Sequence, residues 1–256
     1  MTLAIDIGNT NIAFGLSDGT EWRHHWRIRT VADKTADEYG VLFSSFLRSE
    51  GIELNLIRRV VVSSVVPPLT GPFTGMINKL TGKTALIIGP GVKTGIRIRT
   101  DNPSEVGTDL VANAVASYKR YNGSCICIDF GTALTFTAVK KPGDLLGVVI
   151  APGLNAAAGA LSKHTAQLPT VRLEAPRTIV GKNSIHSIQG GIVYGYSGLV
   201  KEIIRKIQDE LDEKAKVIAT GGLVDTIAPL VAEIDDIDPW LTLEGLKLIG
   251  EMNSRE

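Results

Sequence analysis

Two aspartates sit in matching settings half a chain apart. Asp6 closes the apolar run Leu3-Ala4-Ile5, and Ile7-Gly8-Asn9-Thr10-Asn11 follows before apolar residues resume at Ile12-Ala13-Phe14. Asp129 closes Cys125-Ile126-Cys127-Ile128, and Phe130-Gly131-Thr132 leads into Ala133-Leu134-Thr135-Phe136. Each copy puts a carboxylate beside a turn of small hydroxyl or amide side chains, which suits gripping a phosphate or its metal ion. Two such copies suggest a duplicated fold holding a nucleotide between its halves. A third acid, Asp109, follows Gly107-Thr108 and opens a segment with Val111, Ala114, Val115 and Tyr118 at helical spacing. It is either a partner of the helix dipole, worth ~0.3–1 kcal/mol, or a general base; spacing does not separate the two. Thr220-Gly221-Gly222 lets backbone approach a flat ring or a phosphate closely.

The elements that must carry these residues follow from periodicity. Both aspartate segments read as strand, tight turn and strand. Residues 21–30 alternate Trp22/His24/Trp26/Ile28 against Arg23/His25/Arg27/Arg29, a half-buried strand. Adjacent His24 and His25 would then point to opposite faces, which argues against a shared metal ion. Thr35-Ala36-Asp37-Glu38 starts a helix, and Val60-Val61-Val62-Ser63-Ser64-Val65-Val66 is a buried strand stopped by Pro67-Pro68. Its serines either line the nucleotide cleft or cap the helix after the prolines. Short strands are expected at 85–88, 148–150 and 216–219, and helices over 155–161, 185–194, 200–211 and from Asp238.

Bulk properties exclude several classes. The 256 residues are 44% hydrophobic and 21% charged, those of a globular chain with a real core. With 27 basic and 27 acidic residues, nothing directs it to nucleic acid or an anionic membrane. Cys125 and Cys127 lie too close along one strand for a disulfide, and without a His or Cys set they make no zinc site. No basic leader precedes the first apolar run and no run is long enough to span a bilayer, so the expected compartment is the cytoplasm. There is no P-loop, no G-x-G-x-x-G after a strand and no serine nucleophile elbow.

Asp6-Ile7-Gly8-Asn9-Thr10, Ser63-Ser64-Val65-Val66-Pro67, Asn102-Pro103, Gly107-Thr108-Asp109, Asp129-Phe130-Gly131-Thr132, Pro152-Gly153, Thr165-Ala166-Gln167-Leu168-Pro169, Gly181-Lys182-Asn183 and Thr220-Gly221-Gly222 occur in this order. Together they resemble the type III pantothenate kinases over nearly the whole chain. The resemblance implies the acetate and sugar kinase/Hsp70/actin fold: α/β, in two duplicated actin/ribonuclease-H-like halves, each a mixed sheet flanked by helices, here 1–115 and 116–256. It implies ATP-dependent phosphorylation of pantothenate, Mg²⁺ with the ATP, a monovalent cation (K⁺ or NH₄⁺) and a dimer. By position it assigns ATP to Asp6, Gly8, Asn9, Thr10, Asn11, Gly131, Thr132, Gly221 and Gly222. Metal falls to Asp6 and Asp129, and the catalytic base to Asp109. Pantothenate falls to Thr100, Gly107, Thr108, Asp109, Leu110 and Ser184.

Departures from the family pattern cluster at the acceptor. Leu110 stands where the family has Arg, Thr100 where a Tyr is common, Leu146-Gly147 for a Gly pair and Ser184 for a Thr. A carboxylate left without a cationic partner is costly to bury, so weak or absent pantothenate turnover by the homodimer is expected; ordinary turnover would instead require another holder, with Arg97, Arg99 and His164 the candidates. The alternatives are a non-catalytic or half-catalytic subunit paired with a paralogue, or a nucleotide-binding regulatory relative.

Overall fold

The computed structural model describes residues 1–165 and 167–254, without the side chain of His164. In chain order the first elements are β1 (Thr2–Ile7), β2 (Asn11–Ser17), β3 (Trp22–Arg29), α1 (Ala36–Ser49), β4 (Arg59–Ser64) and α2 (Pro67–Thr81). Then come β5 (Leu86–Ile87), β6 (Arg97–Ile98), α3 (Thr108–Tyr121), β7 (Cys125–Phe130), β8 (Ala133–Lys140) and β9 (Asp144–Pro152). The last are α4 (Leu154–His164), α5 (Ser184–Gln189), α6 (Gly195–Leu211), β10 (Lys216–Thr220), α7 (Val224–Ile227), β11 (Asp236–Ile237) and α8 (Leu241–Met252). A π-helical turn, Gly190–Tyr194, joins α5 to α6.

The chain divides into two compact units. One comprises Met1–Gly95, Asn102–Ala116 and the segment from Thr242; the other comprises Ile96–Asp101 and Ser117–Leu241. The break at Ala116 lies one residue from the expected division, but a contiguous split would put residues 96–101 and 242–254 in the opposite units. Pairing explains both. β6 pairs parallel with β9, the Arg97 and Arg99 N–H groups donating to the Gly143 and Leu145 carbonyls at 2.8 Å, and α8 lies on the first unit's sheet, its Gly250 against Val61.

In the first unit the strand order is β3-β2-β1-β4-β5, with β1–β2–β3 antiparallel and β4 and β5 parallel to β1. Strand alternation sends Leu3, Ile5, Ile7, Val60 and Val62 to one face, where they form a core with Phe14, Phe43, Leu69 and Phe73. The other face carries small residues, Ala4, Gly15 and Val61, with Asp6 and Ser63 at its end. Thr35 caps α1 reciprocally with Glu38, as the sequence predicts.

β3 departs from simple alternation. Its register with β2 shifts between Leu16 and Ser17, so Arg23 is passed over and Trp22 pairs with Ser17. Trp22 thereby joins the face of His25, 5.1 Å between rings, and its indole N–H donates to Glu244 of α8 at 2.9 Å. His24 stacks on Trp26 at 5.4 Å. The two histidines do face apart, but Trp22 sits opposite to the predicted side.

In the second unit the order is β11-β10-β7-β8-β9-β6. Read from β9, the series β9-β8-β7-β10-β11 repeats the first unit's β3-β2-β1-β4-β5, antiparallel and parallel pairings included. Duplication is therefore present in topology as well as in the two aspartate segments. Ile126, Ile128 and Phe130 enter the core with Leu134, Phe136, Val200 and Val217. Cys125, Cys127 and Asp129 take the opposite face, and both thiols are buried. Burial pushes Cys125 up to about 12 and Cys127 well above the usual thiol range. β9 is longer than the sequence predicts, because Asp144, Leu145 and Gly147 also pair with β8, Leu146 being passed over at a register shift.

Candidate active site

In the first unit the site grows from the ends of β1 and β4. Register aligns Asp6 with Ser63, and parallel neighbours in register project to the same side. The turn after β1 closes through the Gly8 N–H donating to the Asn11 carbonyl at 3.0 Å, leaving Asn9 and Thr10 exposed at its tip. Gly8 serves space rather than a left-handed backbone, since a Cβ there would lie 3.0 Å from the Asn11 oxygen. Thr30, which sequence reasoning missed, braces this turn. Its N–H donates to Thr10 O at 2.9 Å and its hydroxyl to Gly8 O at 2.6 Å. A threonine 22 residues from its partner carries no local signal.

Of the two serines of β4, one holds the start of the next helix and the other is buried inside the unit. Ser64 holds the start of α2: its hydroxyl accepts from Thr70 Oγ1 at 2.9 Å and from Val66 N–H at 3.3 Å. Ser63 is fully buried, and its Oγ lies 2.9 Å from Thr108 Oγ1 on the first residue of α3. Asp109 follows. Its Oδ1 accepts the Leu110 N–H at 2.9 Å, and a Cβ on Gly107 would lie 2.4 Å from that oxygen. Burial raises the Asp109 carboxyl above the usual range, offset in part by the Leu110 and Asp109 N–H groups. Leu110 is half-buried at the start of α3 and brings no donor.

In the second unit the first-unit pairing recurs. Thr220 of β10 aligns with Asp129 of β7, as Ser63 does with Asp6. Gly221 has φ +97°, and a Cβ there would sit 2.6 Å from both Asp129 Oδ1 and Phe130 N, so only glycine fits. Gly153 presses on the Gly131-Thr132 turn, 2.3 Å from the Thr132 oxygen if given a Cβ. Asp129, Gly131, Thr132, Gly153 and Gly221 thus form one cluster; Gly222 is exposed beside it.

Ser184 stands apart from that cluster. It opens α5 and lines a cavity of about 620 Å³ with Leu161, Lys182, Asn183, Ser187 and Gly191. The loop can cross α5 there because Gly181 is bare; a Cβ would lie 2.3 Å from Ser187 N. The hydroxyl of Thr100 is buried with no hydrogen-bond partner among the described residues. Arg97 and Arg99 both direct Nε to Asp144, at 2.6 and 3.2 Å. The third proposed holder, His164, and Ala166 of the Thr165–Pro169 motif lie outside the described side chains and residues. Among the described residues no cluster of three or more His, Cys, Asp or Glu could hold a metal ion by itself, and no helix is long and apolar enough to cross a membrane.

The same plan of two mixed sheets flanked by helices recurs in solved structures. A conserved Baf-family protein from Campylobacter jejuni aligns with TM-score 0.61 at 19% identity over 98% of each chain. The inorganic polyphosphate/ATP-glucomannokinase of Arthrobacter sp. aligns at 0.50 and 14% identity, over 98% of this chain and 97% of that one. The fold is that of the acetate and sugar kinase/Hsp70/actin class. Within it, a sequence model of the type III pantothenate kinases matches residues 2–206. The type III pantothenate kinase of Moorella thermoacetica is 49% identical over 254 residues, 99% of this chain and 100% of that one. The chain belongs to the type III pantothenate kinase family.

Proposed function

We propose that the chain transfers the γ-phosphoryl group of ATP to the primary hydroxyl of pantothenate, giving 4'-phosphopantothenate, the first step of coenzyme A biosynthesis. The observation that carries this reading is Asp109: a carboxylate in a partly desolvated setting, on a helix start tied to the strand beside Asp6. Asp109 accepts the proton of the hydroxyl while its oxygen attacks the γ-phosphorus; the bond to the β-phosphate oxygen breaks and ADP leaves. No covalent intermediate is required, because positioning and charge stabilisation carry such transfers.

The ATP phosphates are assigned to Gly8, Asn9, Thr10, Asn11, Gly131 and Thr132, with the base near Gly221 and Gly222. The donors at both aspartates are hard oxygens, which fit Mg²⁺ and a monovalent cation such as K⁺ or NH₄⁺. Asp6 would hold the divalent ion, which when bound neutralises charge on the triphosphate. Asp129 would hold the monovalent one, beside backbone kept bare at Gly221 and Gly153. Pantothenate is assigned to Thr100, Gly107, Thr108, Leu110 and Ser184.

A homodimer in the cytoplasm completes the proposal. Ile150, Ile179, Val180 and Ile185 of the second unit expose 67, 64, 77 and 48% of their surface, an apolar display that suits a second copy. Asp6→Asn tests the nucleotide assignment. Calorimetry should show Mg·ATP affinity falling about tenfold, the loss of one charge-assisted interaction. Unchanged affinity and unchanged kinetics would make Asp6 structural only.

A further inference from the structure

We propose that Ser63 is a positioning residue for the phosphoryl transfer: through Thr108 it sets the first turn of α3, and with it the Asp109 carboxylate. The inference rests on the reading of Asp109 as the base. Ser63 ends a run of three valines in a buried strand, where an apolar β-branched residue would suit both propensity and burial. A hydroxyl stands there instead, at 0% exposure, 2.9 Å from Thr108 Oγ1. Thr108 Oγ1 also reaches the Ser64 carbonyl at 3.5 Å. Either hydroxyl can donate in the 2.9 Å pair.

The rest of α3 is anchored elsewhere. Asn113 accepts from Thr242 Oγ1 at 2.8 Å, and Ala112 packs against Gly245 of α8. Those contacts fix the body of the helix. The Asp109 carboxylate is tied to its own first turn, through the Leu110 N–H. It therefore moves as that turn moves, and the Ser63–Thr108 bond, the shorter of the two Thr108 contacts with β4, joins the turn to the sheet beside Asp6. Near-attack geometry tolerates little displacement, so a small rotation of this turn is felt in turnover.

The test uses the full chain in a coupled kinase assay with Mg·ATP and pantothenate, each variant checked by its thermal melt. Ser63→Ala should lower kcat tenfold or more while KM for ATP stays within twofold. Ser63→Thr, which keeps the hydroxyl on a β-branched side chain, should recover most of the loss. The double variant Ser63→Ala/Thr108→Val should be no slower than Thr108→Val alone, because both act on one bond. A Ser63→Ala kcat within twofold of the parent, equal loss in Ser63→Thr, or multiplying losses in the double variant would each overturn the proposal. If Ser63→Ala does not fold, Thr108→Val decides from the other side of the bond: native melting with unchanged kcat overturns the proposal. Asp109→Asn runs in parallel. If it keeps full turnover, the base assignment falls and takes the positioning role with it. If it is inactive while Ser63→Ala is normal, only the positioning role falls.

Discussion

The hydroxyls of Ser63 and Thr108 lie 2.9 Å apart, joining the end of β4 to the start of α3 across 45 residues of sequence. This bond brings the two acids of the first unit into one framework. Asp6 is register-aligned with Ser63, and Asp109 follows Thr108. In the second unit Thr220 stands beside Asp129 in the same relation that Ser63 has to Asp6, so a strand-end acid with a neighbouring hydroxyl is the repeated unit of this fold.

The Asp109 carboxylate has the room it occupies because Gly107 has no side chain. With a Cβ only 2.4 Å from Oδ1, Gly107→Ala must swing the carboxylate aside. We expect kcat to fall by roughly tenfold to a hundredfold, with the melting temperature little changed because the displaced atom ends a side chain. A normal kcat in a folded Gly107→Ala variant would show that the carboxylate's place does not matter.

Asp109 also predicts a pH dependence with a definite sign. The base works ionised and its pKa is raised by burial, so activity should fall with decreasing pH above the ordinary carboxylate value of about 3.9. The same shift has a stability consequence. A folded-state pKa above the unfolded one favours folding below the unfolded pKa, and that gain is lost as pH rises through the folded pKa. At neutral pH the ionised group is thus a burden, and Asp109→Asn should melt higher at pH 7 while losing turnover. An acid limb at or below the ordinary carboxylate range would contradict the buried-base description.

Much of this was legible in sequence, and the remainder has a common physical cause. The apolar run, Gly turn and returning apolar run located both hairpins, and Asp6 and Asp129 stand near the ends of β1 and β7. The Thr35–Glu38 capping box was equally local. What escaped depends on register or distant pairing. The bulge that turns Trp22 over is a mismatch between β2 and β3, visible in neither strand alone. The extra length of β9 comes from its ladder with β8. The partners of Ser63 and Thr30, and the return of α8 to the first unit, are tertiary facts with no local signature.

That return of α8 makes one glycine indispensable. A Cβ on Gly245 would lie 1.9 Å from the Ala112 carbonyl oxygen of α3, backbone that cannot swing away. Gly245→Ala should destabilise the chain by about 1–3 kcal/mol or more through overpacking, despite alanine's better helix propensity. Denaturant titration measures it. A variant as stable as the parent would mean that α8 does not seat closely on α3.

The central claim is that this chain phosphorylates pantothenate using Asp109, with an acceptor site weakened by Leu110. A coupled kinase assay on the purified chain, its Leu110→Arg variant and its Asp109→Asn variant tests it most directly. We expect ATP-dependent turnover of pantothenate by the chain alone, kcat/KM raised about tenfold by Leu110→Arg through a regained charge-assisted hydrogen bond, and none with Asp109→Asn. Folded chain that binds Mg·ATP yet phosphorylates no pantothenate, with or without Arg at position 110, would contradict the account.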